Sequence, residues 1–476
     1  MNQLLFERST GNVGPSVFAR LQTTKLLKSF CAAPQFRFDG GERGTAIHQD
    51  EAGPSTLRRG IWAHQAGVNA IAVERFDGRI LVSGGSDASV KLWDLESCGN
   101  PLENHTYKPI ATVKRGHNGH KFGITSMSWY PFDPAAFLST SYDQTLKLWS
   151  TETASTSGSF DMGSKVYTHA ISPIADHLLV ACGTQHPAVR LADLRTGASV
   201  QSLIGHTSAI LAAAWSPRHE HVLATGSVDG TVRIWDVRRA GGAIGMLDKE
   251  DGLGLYYNGL LGSDGQLRTR LSAKAHSGPV NSLTWTDDGN YIVSAAHDRR
   301  IRVWDAATGA NTLASFGPSI KNSQLGTVPM FTSPTGITHP KEQLLFWPNE
   351  TEVLVFDLHE GRIITKLRGT GPAMAGVRSA NGSERTVQNR VTAIAWRGAG
   401  GCGESSGVAM GGSNMAGAIF SSHLDGQIRT WIPQLDGLDD EDEEVGSSEA
   451  SEDRAKKRKA LDDVFKNLMG KQITFT

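Results

Sequence analysis

Residues 223–236 read LATGSVDGTVRIWD: an apolar stretch ending near a hydroxyl residue, a turn around Asp229, an alternating strand, then Trp235. The same frame recurs as LVSGGSDASVKLWD at 81–94, FLSTSYDQTLKLWS at 137–150, IVSAAHDRRIRVWD at 292–305 and IFSSHLDGQIRTW at 419–431. In all five the Asp stands six residues before the Trp, and a Ser or Thr stands four before the Asp. Two weaker copies, VACGTQHPAVRLAD at 180–193 and LFWPNETEVLVFD at 345–357, carry Ala192 and Phe356 at the Trp position and bring the total to seven. Upstream of the four full copies stands a histidine, at His64, His117, His206 and His276. Each copy has room for four short antiparallel strands, and alternation such as Val90-Lys91-Leu92-Trp93 gives each strand two faces. A single copy cannot bury both faces, so the copies must stack and close on themselves. The 53 glycines among 476 residues fit a chain with many tight turns.

These spacings are those of WD40 repeats, and the chain resembles that family over roughly residues 60–432. The resemblance implies an all-β fold, a seven-bladed WD40 β-propeller over residues 31–435 with blades three and six degenerate. It also implies a hydrogen-bonded tetrad inside each full blade. The four sets are His64, Ser83, Asp87 and Trp93; His117, Ser139, Asp143 and Trp149; His206, Thr225, Asp229 and Trp235; and His276, Ser294, Asp298 and Trp304. An Asp–His–Ser array invites comparison with a hydrolase triad, but four near-copies of it mark a scaffold.

Both ends depart from the repeat. Residues 1–30 are expected to form a helix–loop–helix arm, with a helix starting at Pro15 and Ser16 and a hinge from Gly11 to Gly14. Residues 26–38 are expected to supply the outer strand of blade seven and close the ring. Insertions interrupt the period at 239–271, 370–389 and 397–417. The latter two are Gly/Ser-rich and expected to be disordered, whereas the first, with Leu255, Tyr256 and Tyr257, reads as a candidate contact loop. The tail, 436–476, holds ten acidic residues in 436–453 and five basic ones in 454–459, and is expected to be disordered. Within it Lys456, Lys457, Arg458 and Lys459 resemble a nuclear import signal, and Leu461, Val464, Phe465, Leu468 and Met469 fall on one helical face.

Several classes of function are excluded. Formal net charge is −1, and residues 1–435 hold 40 basic against 36 acidic residues, so neither nucleic acid nor a membrane surface is recruited by the overall field. No run of apolar residues is long enough to span a membrane, and the N-terminus lacks a secretory signal. Cys31, Cys98, Cys182 and Cys402 lie far apart, which fits a reducing compartment better than a disulfide framework or a zinc site. Residues 158–165 miss the P-loop pattern, and neither His219 with His221 nor His117 with His120 has further ligands at metal spacing. The expectation is a protein without catalytic residues, cofactor or metal, and without strong direct binding to nucleic acid.

The direction of function comes from resemblance. Residues 235–238, Trp-Asp-Val-Arg, match the W-D-x-R box of propellers recruited by the damaged-DNA-binding adaptor of cullin-4 ubiquitin ligases. The order of segments, from MNQLLFERSTGNVGPSVFAR through SWYPFDPAAFLSTSYDQTLKLW and LIGHTSAILAAAWSPRHEHVLATGSVDGTVRIWDVRRA to GQIRTWIPQL, resembles the Cockayne syndrome A family of WD-repeat substrate receptors. That resemblance implies docking on the adaptor through the arm, with Leu4, Leu5, Phe6, Val17, Phe18 and Leu21 as apolar anchors, and through Trp235, Asp236 and Arg238. It further implies stalled RNA polymerase II and its repair translocase as clients, in transcription-coupled nucleotide excision repair in the nucleus, with the chain a monomer within a larger complex. Ubiquitin transfer itself would belong to other subunits. The competing expectation is a nuclear scaffold in ribosome assembly or chromatin, which needs neither arm nor box.

Overall fold

Blade four shows how the repeat becomes structure. Its strands Ile210–Trp215, Val222–Ser227, Val232–Asp236 and Ala243–Met246 pair antiparallel in sequence order, and the inward positions Ala224, Ile234 and Trp235 are wholly buried. The computed structural model describes residues 2–41, 61–98, 103–116, 118–239, 243–255, 273–334, 336–338, 342–369, 371–372, 374–378, 384–398 and 417–433. Blade one is built from Val68–Val73, Ile80–Gly85, Val90–Asp94 and Pro109–Val113, and blades two and three repeat the order from Ile124–Trp129 and from Val166–Ile171. Blade five has three strands, Val280–Trp285, Tyr291–Ala296 and Ile301–Asp305, with a single bridge between Trp304 and Asn311 in place of the fourth. Blade six runs from Phe331–Thr332 to Ile363–Arg368. The product is a seven-bladed β-propeller with few helices.

The ring closes between the two ends of the chain. Blade seven takes Val391–Trp396, Ile419–His423 and Ile428–Pro433 from the C-terminal side and Phe30–Ala32 from the N-terminal side. Its inner strand then reaches blade one, where the Thr392 hydroxyl donates to the Val68 carbonyl. After Ala33 the chain moves on to blade one, and Phe36–Phe38 pairs parallel with His105–Tyr107, a crossing the repeat pattern does not foresee.

The degenerate blades keep the ladder and lose the polar tetrad. In blade three Cys182 and Ala192 stand at the hydroxyl and Trp positions, both fully buried, and in blade six Phe346 and Phe356 do the same. In place of the tetrad, apolar burial supports the backbone ladders of these sheets, at about 25 cal/mol per Å² of apolar surface.

Two helices, Asn2–Ser9 and Pro15–Lys28, precede the closing strand. Pro15 lies in the first turn of the second helix, where its missing N–H costs nothing. Leu27 and Phe30 are buried with Leu344, Phe346 and Val353 of blade six, which ties this helix to the ring.

Three expectations about the insertions need restating. Residues 370–389 are not disordered throughout: Met374–Arg378 and Glu384–Gln388 pair as an antiparallel hairpin, from Met374 opposite Gln388 to Arg378 opposite Glu384. The insertion at 239–271 begins with the fourth strand of blade four, and Tyr256 and Tyr257 lie outside the described residues. Residues 399–416 and the whole tail from 434, with its import signal and terminal helical segment, also lie outside them. Among the described residues no helix is long and apolar enough to cross a membrane.

One feature of the channel had no signal in the repeat. The loop from blade five to blade six crosses the channel mouth on the face of the second-to-third-strand turns. There Gln324 Nε2 donates to the Val391 carbonyl of blade seven (2.6 Å), and the Thr327 hydroxyl to the Leu211 carbonyl of blade four (2.6 Å). Asn281 of blade five and Asn322 bond reciprocally at 2.9 and 2.7 Å. Inner strands have an unpaired edge along the channel, and this loop satisfies several of its carbonyls.

Candidate docking face

Buried polar tetrads link the strands inside each full blade. In blade one Trp93 Nε1–H donates to Ser83 Oγ (2.9 Å), and Ser83 Oγ lies 2.7 Å from His64 Nε2. His64 Nδ1 lies 2.7 Å from Ser89 Oγ, whose proton goes to Asp87 Oδ1 (2.6 Å). An ionised carboxylate only accepts, so proton donation runs one way, from Trp93 through Ser83, His64 and Ser89 to Asp87. Burial pushes the Asp87 carboxyl up, but the neighbouring His64 ring, 3.6 Å away, and the donors of Ser89 outweigh it and hold the pKa at about 2. Blade four repeats the chain with His206, Thr225, Thr231, Asp229 and Trp235, and blade five with His276, Ser294, Asp298 and Trp304.

Blade two corrects the sequence assignment. The ring that meets Ser139 (2.7 Å) and Asp143 (2.9 Å) is His120, with Trp149 on the same Ser139, and His117 lies outside the described residues. The signal was present in the spacing: His-to-hydroxyl separations are 19, 19, 19 and 18 residues in blades one, two, four and five once His120 is chosen. Blade seven hides another substitution. There His423, two residues after Ser421, supplies the ring, with Nε2 2.9 Å from Ser421 Oγ, and Trp431 donates to the same oxygen.

The W-D-x-R box is built on the end of blade four's third strand. Trp235 is fully buried in its tetrad and Asp236 nearly so, so neither offers a contact surface; their part is to position the residue that follows. Arg238 folds back on Asp236 as a fork, Nε to Oδ1 at 3.0 Å and Nη2 to Oδ2 at 2.8 Å, while its side chain stays 66% exposed. The fork holds the Asp236 carboxyl below the usual range against the opposing effect of burial. A pre-aimed guanidinium of this kind keeps donors free for carbonyls or carboxylates outside the ring. Beside it the turn between the first two strands of blade four brings Arg218, His219, Glu220 and His221 to a groove of about 490 Å³. His221 meets Glu220 at 2.9 Å and stacks on His177, its ring centroid 5.5 Å away. Among the described residues no group of three or more His, Cys, Asp or Glu could hold a metal ion.

Strand direction places the arm on the same face. Third strands end on the face where first-to-second-strand turns lie, and Arg238 follows such an end. In blade seven the corresponding end, Pro433, pairs with Phe30, directly after the helix Pro15–Lys28. That helix is fastened to the first-to-second-strand turn of blade six by Lys28 Nζ on Glu342 (2.9 Å) and by the Thr23 hydroxyl on the Ile337 carbonyl. The arm and Arg238 therefore lie on one face, three blades apart. Of the expected anchors, Phe6 is 66% and Val17 41% exposed, and Leu21 is half-buried. Phe18 is withdrawn from that set: it is buried, with the Arg8 guanidinium 5.1 Å above its ring. The side chains of Leu4 and Leu5 lie outside the described ones.

The WD domain, G-beta repeat family matches residues 55–94, 108–150, 197–236 and 262–305. WD repeat-containing protein ATCSA-1 of Arabidopsis thaliana is 33% identical over 366 residues, which cover 64% of this chain and 79% of that protein. The chain belongs to the WD40 family. Ribosome biogenesis protein YTM1 of Phaeosphaeria nodorum is 30% identical over 277 residues, and Radiation-sensitive protein 28 of Saccharomyces cerevisiae 28% over 220, the matches covering 55% and 42% of those proteins. The narrower expectation of a Cockayne syndrome A protein is corrected by this spread. Proteins named for different work match, what they share is the repeat, and the similarity supports the WD40 family and no narrower assignment.

Proposed function

We propose that this propeller is a non-catalytic substrate receptor of a cullin-4 E3 ubiquitin ligase that acts in transcription-coupled nucleotide excision repair. The observation that carries the proposal is the shared face: an arm with exposed Phe6 and Val17, and an Arg238 fork anchored on a buried Asp236, point the same way from one rigid ring. A scaffold needs neither. The partner on this face is the damaged-DNA-binding adaptor. The opposite face, where the loop of residues 321–327 crosses the channel and leaves Leu325 81% exposed, is left for clients, stalled RNA polymerase II and its repair translocase. The site of action is the nucleus, with Lys456, Lys457, Arg458 and Lys459 as the import signal.

Similarity to a ribosome biogenesis protein favours a second proposal, a nuclear scaffold without part in ubiquitin transfer. Co-purification separates the two. The intact chain is expected to retain recombinant adaptor, and a chain lacking residues 1–22 to lose it while still melting cooperatively. Failure of the intact, folded chain to bind adaptor, with recovery of pre-ribosomal particles instead, would favour the scaffold.

A further inference from the structure

We infer that the basic flank of the N-terminal arm is a binding surface for an acidic peptide, and that its occupant is the chain's own segment 436–444. The helices and hinge over residues 2–28 carry Arg8, Arg20, Lys25 and Lys28 against a single acidic residue, Glu7. Lys28 is engaged with Glu342, whereas Arg20 and Lys25 form no ion pair among the described residues. Both lie on Pro15–Lys28, and Lys25 and Lys28 stand in its last turn, where the two ammonium groups outweigh the half negative charge of the helix dipole that would repel an anion there.

The occupant is argued from where the described chain stops. Pro433 is the last described residue, and it is paired with Phe30, two positions beyond the helix end. Three residues later the sequence enters Asp436-Gly437-Leu438-Asp439-Asp440-Glu441-Asp442-Glu443-Glu444, seven acidic residues in nine. Extended, nine residues reach about 30 Å, and a helix of 14 residues is about 21 Å long. The run begins three residues after Pro433, which is paired beside the helix end, and is long enough to span the helix. At about 0.15 M salt the screening length is about 8 Å, so charges delivered this close attract and more distant basic groups compete poorly. A covalent tether adds an effective concentration in the millimolar range. The groove beside Arg218, Arg238 and Arg239 is the competing site, but it lies three blades away. The inference does not depend on the adaptor. Where a partner docks on the arm, the segment competes with it.

Zero-length carbodiimide cross-linking of the full chain, read by mass spectrometry, tests this. The expected product joins Lys25 to a carboxylate of residues 436–444. Its yield should fall about tenfold in high salt, as expected for a screened contact, and fall comparably in Arg20→Glu. Cross-linking of Lys28 to Glu342, 2.9 Å apart, is the internal control and should persist in Arg20→Glu, reporting that the arm is still seated. With that control present, acidic residues joined only to Lys456, Lys457 or Lys459, or a Lys25 product indifferent to Arg20→Glu, would overturn the proposal. Adaptor binding enters neither outcome.

Discussion

Phe30 and Pro433 face each other across the outermost pair of strands in blade seven, and that pairing joins the two ends of the described chain into a ring. Phe30 also packs edge-on against Phe346 and Trp396, with centroids 6.3 and 6.1 Å away, so one side chain welds the closing strand to blades six and seven.

Phe30→Ala is therefore expected to cost about 3 kcal/mol, the range for a truncated buried aromatic. Thermal unfolding of the full chain measures it. A loss under about 0.5 kcal/mol, the range of surface substitutions, would show that closure does not rest on this strand.

His120→Ala removes one partner each of Ser139 and Asp143 inside blade two, while Trp149 stays on Ser139 and Thr145 on Asp143. A lost hydrogen bond costs about 0.5–1.5 kcal/mol, more where a charged group takes part, so a loss of roughly 1–3 kcal/mol is expected at position 120. Finding that cost at position 117 instead would restore the sequence-based assignment.

The same residue shows what was legible in the sequence. Asp-to-Trp and hydroxyl-to-Asp spacings are local, set within one pair of strands, and they named five blades directly. The histidine comes from the preceding connection, whose length varies, so His117 and His120 are distinguished only by the constant separation to the hydroxyl. His423 was missed because blade seven draws its ring from the second strand itself. The exposure of Arg238 was readable from the box, while the burial of Phe18 was not, because a helix of mixed polarity does not announce which face it seats. The loop over the channel has no period at all. Its role comes from long-range bonds of Gln324 and Thr327 that no local pattern encodes.

That loop makes its own prediction. Asn281→Ala removes the reciprocal amide pair with Asn322 and the amide donor to the Gln324 carbonyl, 2.9 Å away. Hydrogen exchange over residues 321–328 should then rise by about tenfold, one pair's worth of protection at 1.4 kcal/mol per decade, with little change in blades one and two. Unchanged exchange there would mean the loop is held by other bonds.

Stability should fall with acid in two limbs. His169 is buried between blades two and three, 2.7 Å from Ser128 Oγ, and burial pushes its pKa down to about 4. Burial also lowers His206 and His276, with Asp229 and Asp298 opposing. An unfolded histidine takes up a proton below about pH 6.5, while these rings stay neutral in the fold, so stability is full above that pH and declines as pH falls towards 4. The carboxylates have the usual acidic sign: Asp87, held at about 2, contributes above about pH 3.9 and loses that contribution as pH falls towards 2. Melting temperature should be level above about pH 6.5 and decline on both limbs, and His169→Gln should flatten the upper one. A melting temperature constant between about pH 6.5 and 4.5 would contradict this assignment.

The most direct measurement is the affinity of the purified full-length chain for the cullin-4 adaptor, compared with Arg238→Ala and with the double variant Phe6→Asp, Val17→Asp. All three substituted side chains are well exposed, so both variants should melt like the parent. Docking through both points predicts binding by the parent and a loss of about tenfold or more in each variant, as for the anchors of an interface. Parental affinity in both variants, or no binding by the parent itself, would contradict a docking face made of the arm and Arg238.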